Sequence, residues 1–500
     1  MSRSAAERFR RSSWISLAPV LGLSSMIGCA VSPPPTPTDL AVEVPTQWTA
    51  AGSSQAESHG GEISWWRQFD DHELDRLVLT ALDNNRDLIA ASARVDAAVA
   101  QARIAGAGLR PQIDVGASGA RRNQNFIGFP IPGRDQEVLS VTSSSFGASL
   151  NISWELDLWG RLRAQRDAAS SRSQATRADY DGARLSLTGQ VAKGWFAAVE
   201  AQQQLDLAVA TLESRRRSRE RIERRYRSGT RPALDLRFAI SNQAAAQANL
   251  ASRQRQLDLS VRQLQLLLSR YPDGFLSSIV EGVELCEPPP RVPAGLPSEL
   301  VARRPDLIAT ENRLAAAGLD VTQARANLYP RFSLTGSGGT LSADVQDLLD
   351  DNFSVWSLAA NILQPVFQGG RLRAGIDLSE ARLREVGETY AQQILRAFGE
   401  VEAALAAEAF LADRELALDE AARQSAAAER LANDRYEYGL DGYLAVLEAQ
   451  RNAFLAQSEW ISARRQRLDN RVDLNLALGG NIYPDETATA GKQQVVSPSR

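Results

Sequence analysis

Histidine and cysteine are almost missing from this 500-residue chain, which holds two of each: His59, His72, Cys29 and Cys286. A histidine-based catalytic triad or a Cys/His metal site therefore has almost no raw material. Aromatics make up 6% of residues, and the net charge is −4 with a pI near 5.6, a balance that gives a nucleic-acid partner no support. Proline is absent from 160 to 228 and again from 370 to 438. Each run would make about 100 Å of helix at 1.5 Å per residue, longer than a soluble globular core needs. A bilayer-long apolar run is lacking as well. The stretch Trp14–Ile27 is too short to span comfortably, and Arg8, Arg10 and Arg11 precede it, so it reads as an export signal.

What is present is written twice. RYRSGTRPALDL at 225–236 returns as RYEYGLDGYLAV at 435–446, an offset of 210, and LWGRLRA at 158–164 returns as QGGRLRA at 368–374 with the same offset. A third pair, Ala105–Pro111 and Ala324–Pro330, is offset by 219, which leaves about nine extra residues between Pro111 and Gly160. A tandem duplication settles the architecture before any single residue does.

In FGASLNISWEL, Phe146, Ala148, Leu150, Ile152, Trp154 and Leu156 alternate with Gly147, Ser149, Asn151, Ser153 and Glu155. Period two over this length predicts a strand with one apolar and one polar face. Trp356, Leu358, Ala360 and Ile362 repeat it, and Gln112–Gly119 and Arg331–Ser337 alternate more weakly. Each half thus supplies one hairpin, with strands about 111–122 and 144–156, then 330–341 and 353–366; the extra length falls in the loop Asn123–Ser143. Long helices are expected over 160–228 and 232–270, and again over 370–438 and 442–478. Leu236, Gln243, Leu250, Leu257 and Leu264 fall on a heptad grid, as do Leu447, Phe454, Ile461 and Leu468, which implies coiled-coil packing. The short turns SGTRP and YGLDG make each helix pair antiparallel. Before the strands, Trp65–Phe69 reads as an aromatic anchor and Leu74–Leu109 as one helix. The domain reading is a signal peptide at 1–28, a tether at 29–72, a first repeat at 73–274, a linker at 275–297 containing Cys286 as ordinary packing, a second repeat at 298–480 and a disordered tail at 481–500. The fold class is mainly α with a membrane β part.

Four amphipathic strands cannot close a barrel alone, because open edges leave backbone groups unpaired in lipid. Two copies would give a filled eight-stranded barrel, and three a twelve-stranded one with a lumen. The apolar face is expected to meet lipid and the Ser/Asn/Gly face the lumen, with Trp154, Trp159, Phe146, Phe332, Phe353 and Trp356 as candidates for an interfacial girdle. The export signal ends in Met26-Ile27-Gly28-Cys29, which resembles the lipobox of bacterial lipoproteins and implies an acylated Cys29; Ala30 then favours the outer membrane. No cofactor beyond that covalent lipid is expected.

WW with Phe69, NNRDLIAASARVDAA at 84–98, ELDLWGRLRA at 155–164, GLPSELVARRPDL at 295–307, ARANLYPRFSLTGSGG at 324–339, QPVFQGGRLRAG at 364–375 and RYEYGLDGYLAVLEAQR at 435–451 follow one another in order. Together they resemble the TolC-like outer-membrane efflux proteins, in the NodT- and OprM-like lipoprotein branch found with resistance–nodulation–division pumps. The resemblance implies a homotrimer with a 12-stranded membrane barrel and a trimeric α-barrel of long antiparallel coiled-coil helices in the periplasm. It also implies a passive exit duct for drugs or other toxic small molecules, fed by a periplasmic adaptor and an inner-membrane pump. It places the periplasmic gate at Asp235 and Tyr436, joined by a latch, with Glu448 as a constriction carboxylate. Ala445 and Asp441 depart from the family pattern there. The tip loops with Gly229, Arg231, Gly439 and Asp441 become the adaptor contact. The arginine run RRRSRERIERRYRSGTR at 215–231 reads either as a solvated face laced with i,i+4 pairs or as part of that docking surface.

A lipid-anchored coiled-coil scaffold without a pore is the alternative from another class, and export of a signalling molecule or protein is another within the same class. A scaffold has no use for four amphipathic strands. No acid on the helices sits in a motif with a base and an oxyanion donor, so the chain does not read as an enzyme.

Overall fold

The structure, a computed structural model, describes residues 45, 48–49, 64–126, 139–274, 277–289 and 297–480. The signal peptide 1–28, Cys29, positions 127–138 of the first hairpin and the tail 481–500 lie outside these residues. In chain order the elements are α1 (His72–Asn84), α2 (Arg86–Ala107), β1 (Gln112–Phe126), β2 (Leu139–Leu156), α3 (Arg161–Arg227), α4 (Ala233–Leu267), α5 (Ser277–Val280), α6 (Pro297–Arg303), α7 (Pro305–Ala326), β3 (Arg331–Ser342), β4 (Ser354–Leu363), α8 (Arg371–Glu437) and α9 (Tyr443–Ala477). The contacts divide them into two compact units. One is built from Ala102–Ala168 and Ala317–Arg382, the other from Ala169–Ala316, Leu383 onward and the segment before Ala102.

The first unit carries a four-stranded antiparallel sheet in the order β1-β2-β3-β4. Its register sorts the side chains into rows. Ile113, Ile152, Gly336 and Leu358 lie in one row, Asp114, Asn151, Ser337 and Ser357 in the next, then Val115, Leu150, Gly338 and Trp356. Since successive residues face opposite sides, one face carries the apolar rows, and the other is polar over most of β1, β2 and β3 but holds Leu341 of β3 and Val355, Ala359 and Leu363 of β4. Ser337 and Ser357 join their hydroxyls on the polar face at 2.8 Å. The apolar residues Ile113, Val115, Leu150, Ile152, Trp356, Leu358 and Ile362 are all exposed on the chain. Sterics dictate the glycine at position 339. A Cβ on Gly339 would stand 2.0 Å from the Ala148 carbonyl oxygen, so β2 and β3 can meet at this level only without a side chain there. The first hairpin is longer than the sequence predicts, since pairing continues to Phe126↔Leu139 and turns part of the expected Asn123–Ser143 loop into strand. Asn123 helps hold that end, accepting hydrogen bonds from Ser140 Oγ at 2.7 Å and Thr142 Oγ1 at 3.1 Å. β4 is shorter than the expected 353–366 and ends at Leu363, ahead of Pro365, which has no N–H for a ladder. Trp159, one of the girdle candidates, lies beyond β2. It donates to Pro330 O at 2.7 Å and stacks on Tyr329 at 5.0 Å, bracing the strand-to-helix turn.

α3 and α8 are 67 residues each and belong to the second unit beyond Ala168 and Arg382; α4 and α9, 35 residues each, lie in it entirely. Their first residues, 161 and 371 or 233 and 443, are 210 apart. The heptad residues Leu257, Leu264, Ile461 and Leu468 are buried, and Leu236, Leu250, Leu447 and Phe454, nearer the turns, are half-buried. Three expectations need correction. The single helix over 74–109 is two, because Asn85 adopts an extended backbone. Its Oδ1 accepts from Leu88 N at 3.0 Å and its Nδ2 donates to Leu267 O at 2.9 Å, so the break is fixed by a helix far away in sequence. The range assigned to the tether contains packed residues: Trp65, Trp66 and Phe69 form a buried 3-10 turn, and Trp65 meets both others edge to face. Trp48 is buried against Phe398 at 6.0 Å, and Thr49 N donates to Glu402 Oε1 at 2.7 Å. Burial of each such aromatic contributes about 1.5–3 kcal/mol. The linker, finally, carries α5, and its Val280 and Leu285 join the core with Cys286 packed beside them. Burial pushes the Cys286 thiol up to about 12, which leaves it inert.

The candidate functional site at the helical tips

Two turns close the helix pairs α3–α4 and α8–α9, and their backbones match. Gly229 and Gly439 have φ of 74° and 75°. Gly229 N donates to Tyr226 O and Thr230 N to Arg225 O; Gly439 N donates to Tyr436 O and Leu440 N to Arg435 O. This is the Schellman arrangement, which satisfies the last helical carbonyls and requires a residue free to take positive φ. Both glycines therefore serve the turn itself.

The side chains differ. In the second tip Arg435 forms a two-pronged bridge to Asp441, Nε to Oδ2 at 2.5 Å and Nη2 to Oδ1 at 3.2 Å. Asp441 is thus used inside its own turn, its carboxyl held below the usual range by that arginine. In the first tip the corresponding residues are Arg225 and Arg231, which repel. They reach the other hairpin instead. The Arg231 guanidinium lies 4.6 Å from the centroid of the Tyr436 ring and that of Arg225 lies 5.4 Å from it. Arg225 also donates to Tyr436 O at 3.4 Å, which already accepts from Gly439 N, and to Glu437 O at 3.1 Å, both at the C-terminus of α8. Arg221 pairs with the Glu437 carboxylate.

Tyr436 is buried, and its ring tilts against Tyr443 at 5.6 Å in a small cluster with Ile222, Ala239 and Val446. Its hydroxyl has no partner that meets hydrogen-bond geometry. The expected hydrogen-bonded latch to Asp235 is therefore not formed within the chain: Asp235 sits half-buried in the first turn of α4, close enough for its charge to be felt at Tyr436. Burial raises the Tyr436 hydroxyl above the ordinary tyrosine value; the Arg231 charge opposes this and Asp235 adds to it. Tyr443 is pushed up to about 12, chiefly by burial, so both phenols are neutral. Glu448 is exposed on α9 and paired with Arg451 at 2.6 Å.

The arginine run divides in two. Arg216, Arg217 and Arg227 make i,i+4 pairs with Glu220, Glu213 and Glu223. Arg215 is buried instead, donating to Gln450 of α9, and Arg219 donates to Gln243 of α4 at 3.1 Å. Sequence reasoning missed Arg225, Arg221 and Arg215 as residues that bind the hairpins together. The signal was available at one position, where the repeat changes Arg231 to Asp441. Elsewhere in this unit a cavity of about 870 Å³ is lined by Asp179, Arg304, Asp306, Glu400 and Asp473 among others. Its acids are answered by cations: Asp306 and Glu400 by Arg304, Asp179 by Arg313, Asp473 by Lys193.

A family model described as outer membrane efflux protein matches residues 77–270 and again 296–480. The chain belongs to that family. Among relatives of this outer membrane efflux protein, OprJ of Pseudomonas aeruginosa is 36% identical over 472 residues, covering 92% of this chain and 96% of its own. The pyoverdine export outer membrane protein OpmQ of Pseudomonas putida is 35% identical over 461 residues, with the same coverage. Among solved structures, the outer-membrane channel OprN superposes with a TM-score of 0.82 at 29% identity, covering 90% of this chain and 99% of that one. The Campylobacter jejuni CmeC outer membrane channel gives 0.82 at 25% identity over 90% and 95%. The protein is located in the outer membrane, with its helical part in the periplasm. Among the described residues no helix is long and apolar enough to cross a membrane.

Proposed function

We propose that three copies of this chain form the exit duct of a tripartite efflux system, passively conducting small toxic molecules that an inner-membrane pump and a periplasmic adaptor deliver. The observation that carries the reading is the sheet: apolar rows kept in register on one face and a largely polar opposite face, with β1 and β4 each paired on one side only. Unpaired edges in lipid are costly, so neighbouring copies would supply the missing partners and twelve strands would close around a polar lumen. The matched spans of the long helices support a tandem duplication whose helices line a second tube. Cys29 would carry the lipid anchor. The tips would be both the gate, through Asp235, Tyr436 and Glu448, and the adaptor contact, through Gly229, Arg231, Gly439 and Asp441. This function needs no catalytic group and no cofactor. Relatives are named for pyoverdine export and for toluene efflux, which fits a duct that leaves selection to its pump.

Purified protein in a planar bilayer should give discrete conductance steps with a cation preference. Glu448→Gln should lower the ratio of cation to anion permeability roughly two-fold or more, as expected for loss of a ring of carboxylates. Absence of any steps from a folded, membrane-inserted sample would leave the poreless scaffold as the better account.

A further inference from the structure

We infer that the two tip hairpins of this chain are fastened by a cation–π clamp, Arg225 and Arg231 of the first closing on the Tyr436 ring of the second, and not by the tyrosine hydroxyl. Three observations converge. Both guanidiniums lie over one buried ring. The hydroxyl of that ring meets hydrogen-bond geometry with no partner; the group that comes nearest to acting on it is the Arg225 guanidinium, which already lies over the ring. The corresponding pair in the other turn, Arg435 and Asp441, is closed on itself. The electrostatics account for the direction of reach. Two arginines in one turn cannot neutralise each other, whereas the π face of a tyrosine and the carbonyl end of a helix both attract cations. Arg225 uses both, through the ring and through Tyr436 O and Glu437 O. Asp235 lies close enough to temper the doubled charge without taking the hydroxyl. The substitution of Asp441 for Arg231 between repeats is therefore the residue difference that makes one hairpin the grip and the other the thing gripped. For gating, this rests on the duct reading above; as a statement about the tip it stands alone.

Hydrogen exchange of the full-length protein in detergent, read on peptides covering 221–238 and 432–446, tests the clamp. Planar-bilayer conductance on the same samples tests the gate separately. Arg231→Ala should speed tip exchange roughly three- to ten-fold, in the range for loss of one partly desolvated cation–π contact. Arg231→Asp should do more, roughly ten-fold or above, because it lets Arg225 bridge within its own turn as Arg435 does, and so withdraws both cations. Tyr436→Leu should match it. Tyr436→Phe keeps the ring and should stay within about two-fold of the parent. Peptides over 257–264, buried away from the tip, report whether each variant has folded. The clamp is overturned if Tyr436→Phe loosens the tip as much as Tyr436→Leu, or if Arg231→Asp leaves exchange unchanged in a folded protein. Faster tip exchange with unchanged conductance would uphold the clamp and remove the gate from this place.

Discussion

In the first repeat, positions 198, 205, 257 and 261 are Ala, Leu, Leu and Val; in the second, 210 residues on, they are Glu408, Glu415, Arg467 and Arg471. Ala198, Leu257 and Val261 are buried among apolar neighbours that include Trp195 and Phe196. Arg471, 1% exposed, donates to Glu408 at 2.7 Å, and Arg467 reaches Glu415 at 2.9 Å. The same helix lengths thus enclose an apolar filling in one half and an ionic one in the other. The difference teaches that element length and turn geometry set this architecture, and that the packing chemistry is free to vary beneath it. An ionic filling is not the stronger choice, since desolvation offsets most of what the pair gains.

That comparison can be broken at its widest point. Arg471→Val removes the shortest partner of Glu408 and leaves it only the longer contacts from Arg467 and Asn470, both at 3.4 Å, so it should cost about 3 kcal/mol, read as a fall in the midpoint of thermal unfolding. Glu408→Ala with Arg471→Val copies the first repeat and should recover most of that loss. If the double variant is as unstable as the single one, the two fillings are not equivalent.

A smaller effect is expected at Asp469, whose counterpart is Leu259. Burial pushes its carboxyl up to about 6, with Arg465 and Lys193 opposing. The folded value exceeds the unfolded one, 3.8, so the stability it contributes is complete below about pH 4 and is lost as pH rises through 6. Asp469→Asn should flatten the stability profile across that window, with a gain at pH 7 on the order of 2 kcal/mol. A slope unchanged by the substitution would place the titration elsewhere.

The smallest difference lies at the ends of the return helices, where Ser269 at φ 53° stands in place of Gly479 at φ 88°. Ser269 compensates for its left-handed backbone by accepting from Arg86 N at 3.1 Å. Ser269→Ala should therefore cost about 1 kcal/mol while Ser269→Gly stays within about 0.5 kcal/mol of the parent, both from denaturant midpoints. Equal losses in the two variants would mean that the hydroxyl alone matters.

The sequence disclosed the features that repeat locally. Proline-free runs marked α3 and α8, glycines marked both tip turns, and strict alternation marked β2. Features set by partners far along the chain stayed hidden. The break at Asn85 depends on Leu267, and the docking of Trp48 depends on Phe398. Residues 215–231 looked like one charged surface because composition cannot tell Arg216, paired along its own helix, from Arg215 turned inward to Gln450. At the helical tips, the pairing of Tyr436 followed from one repeat difference, Arg231 against Asp441, that only geometry gives meaning.

The sheet has a consequence for biogenesis. In the three-chain assembly proposed above, a newly exported chain that has not met its neighbours would offer two free strand edges and an apolar face to the periplasm, a surface suited to aggregation. Association and membrane entry would then be best completed together, and mutations that slow the proposed meeting of chains should show up as proteolysed or aggregated material and not as a pool of folded single subunits.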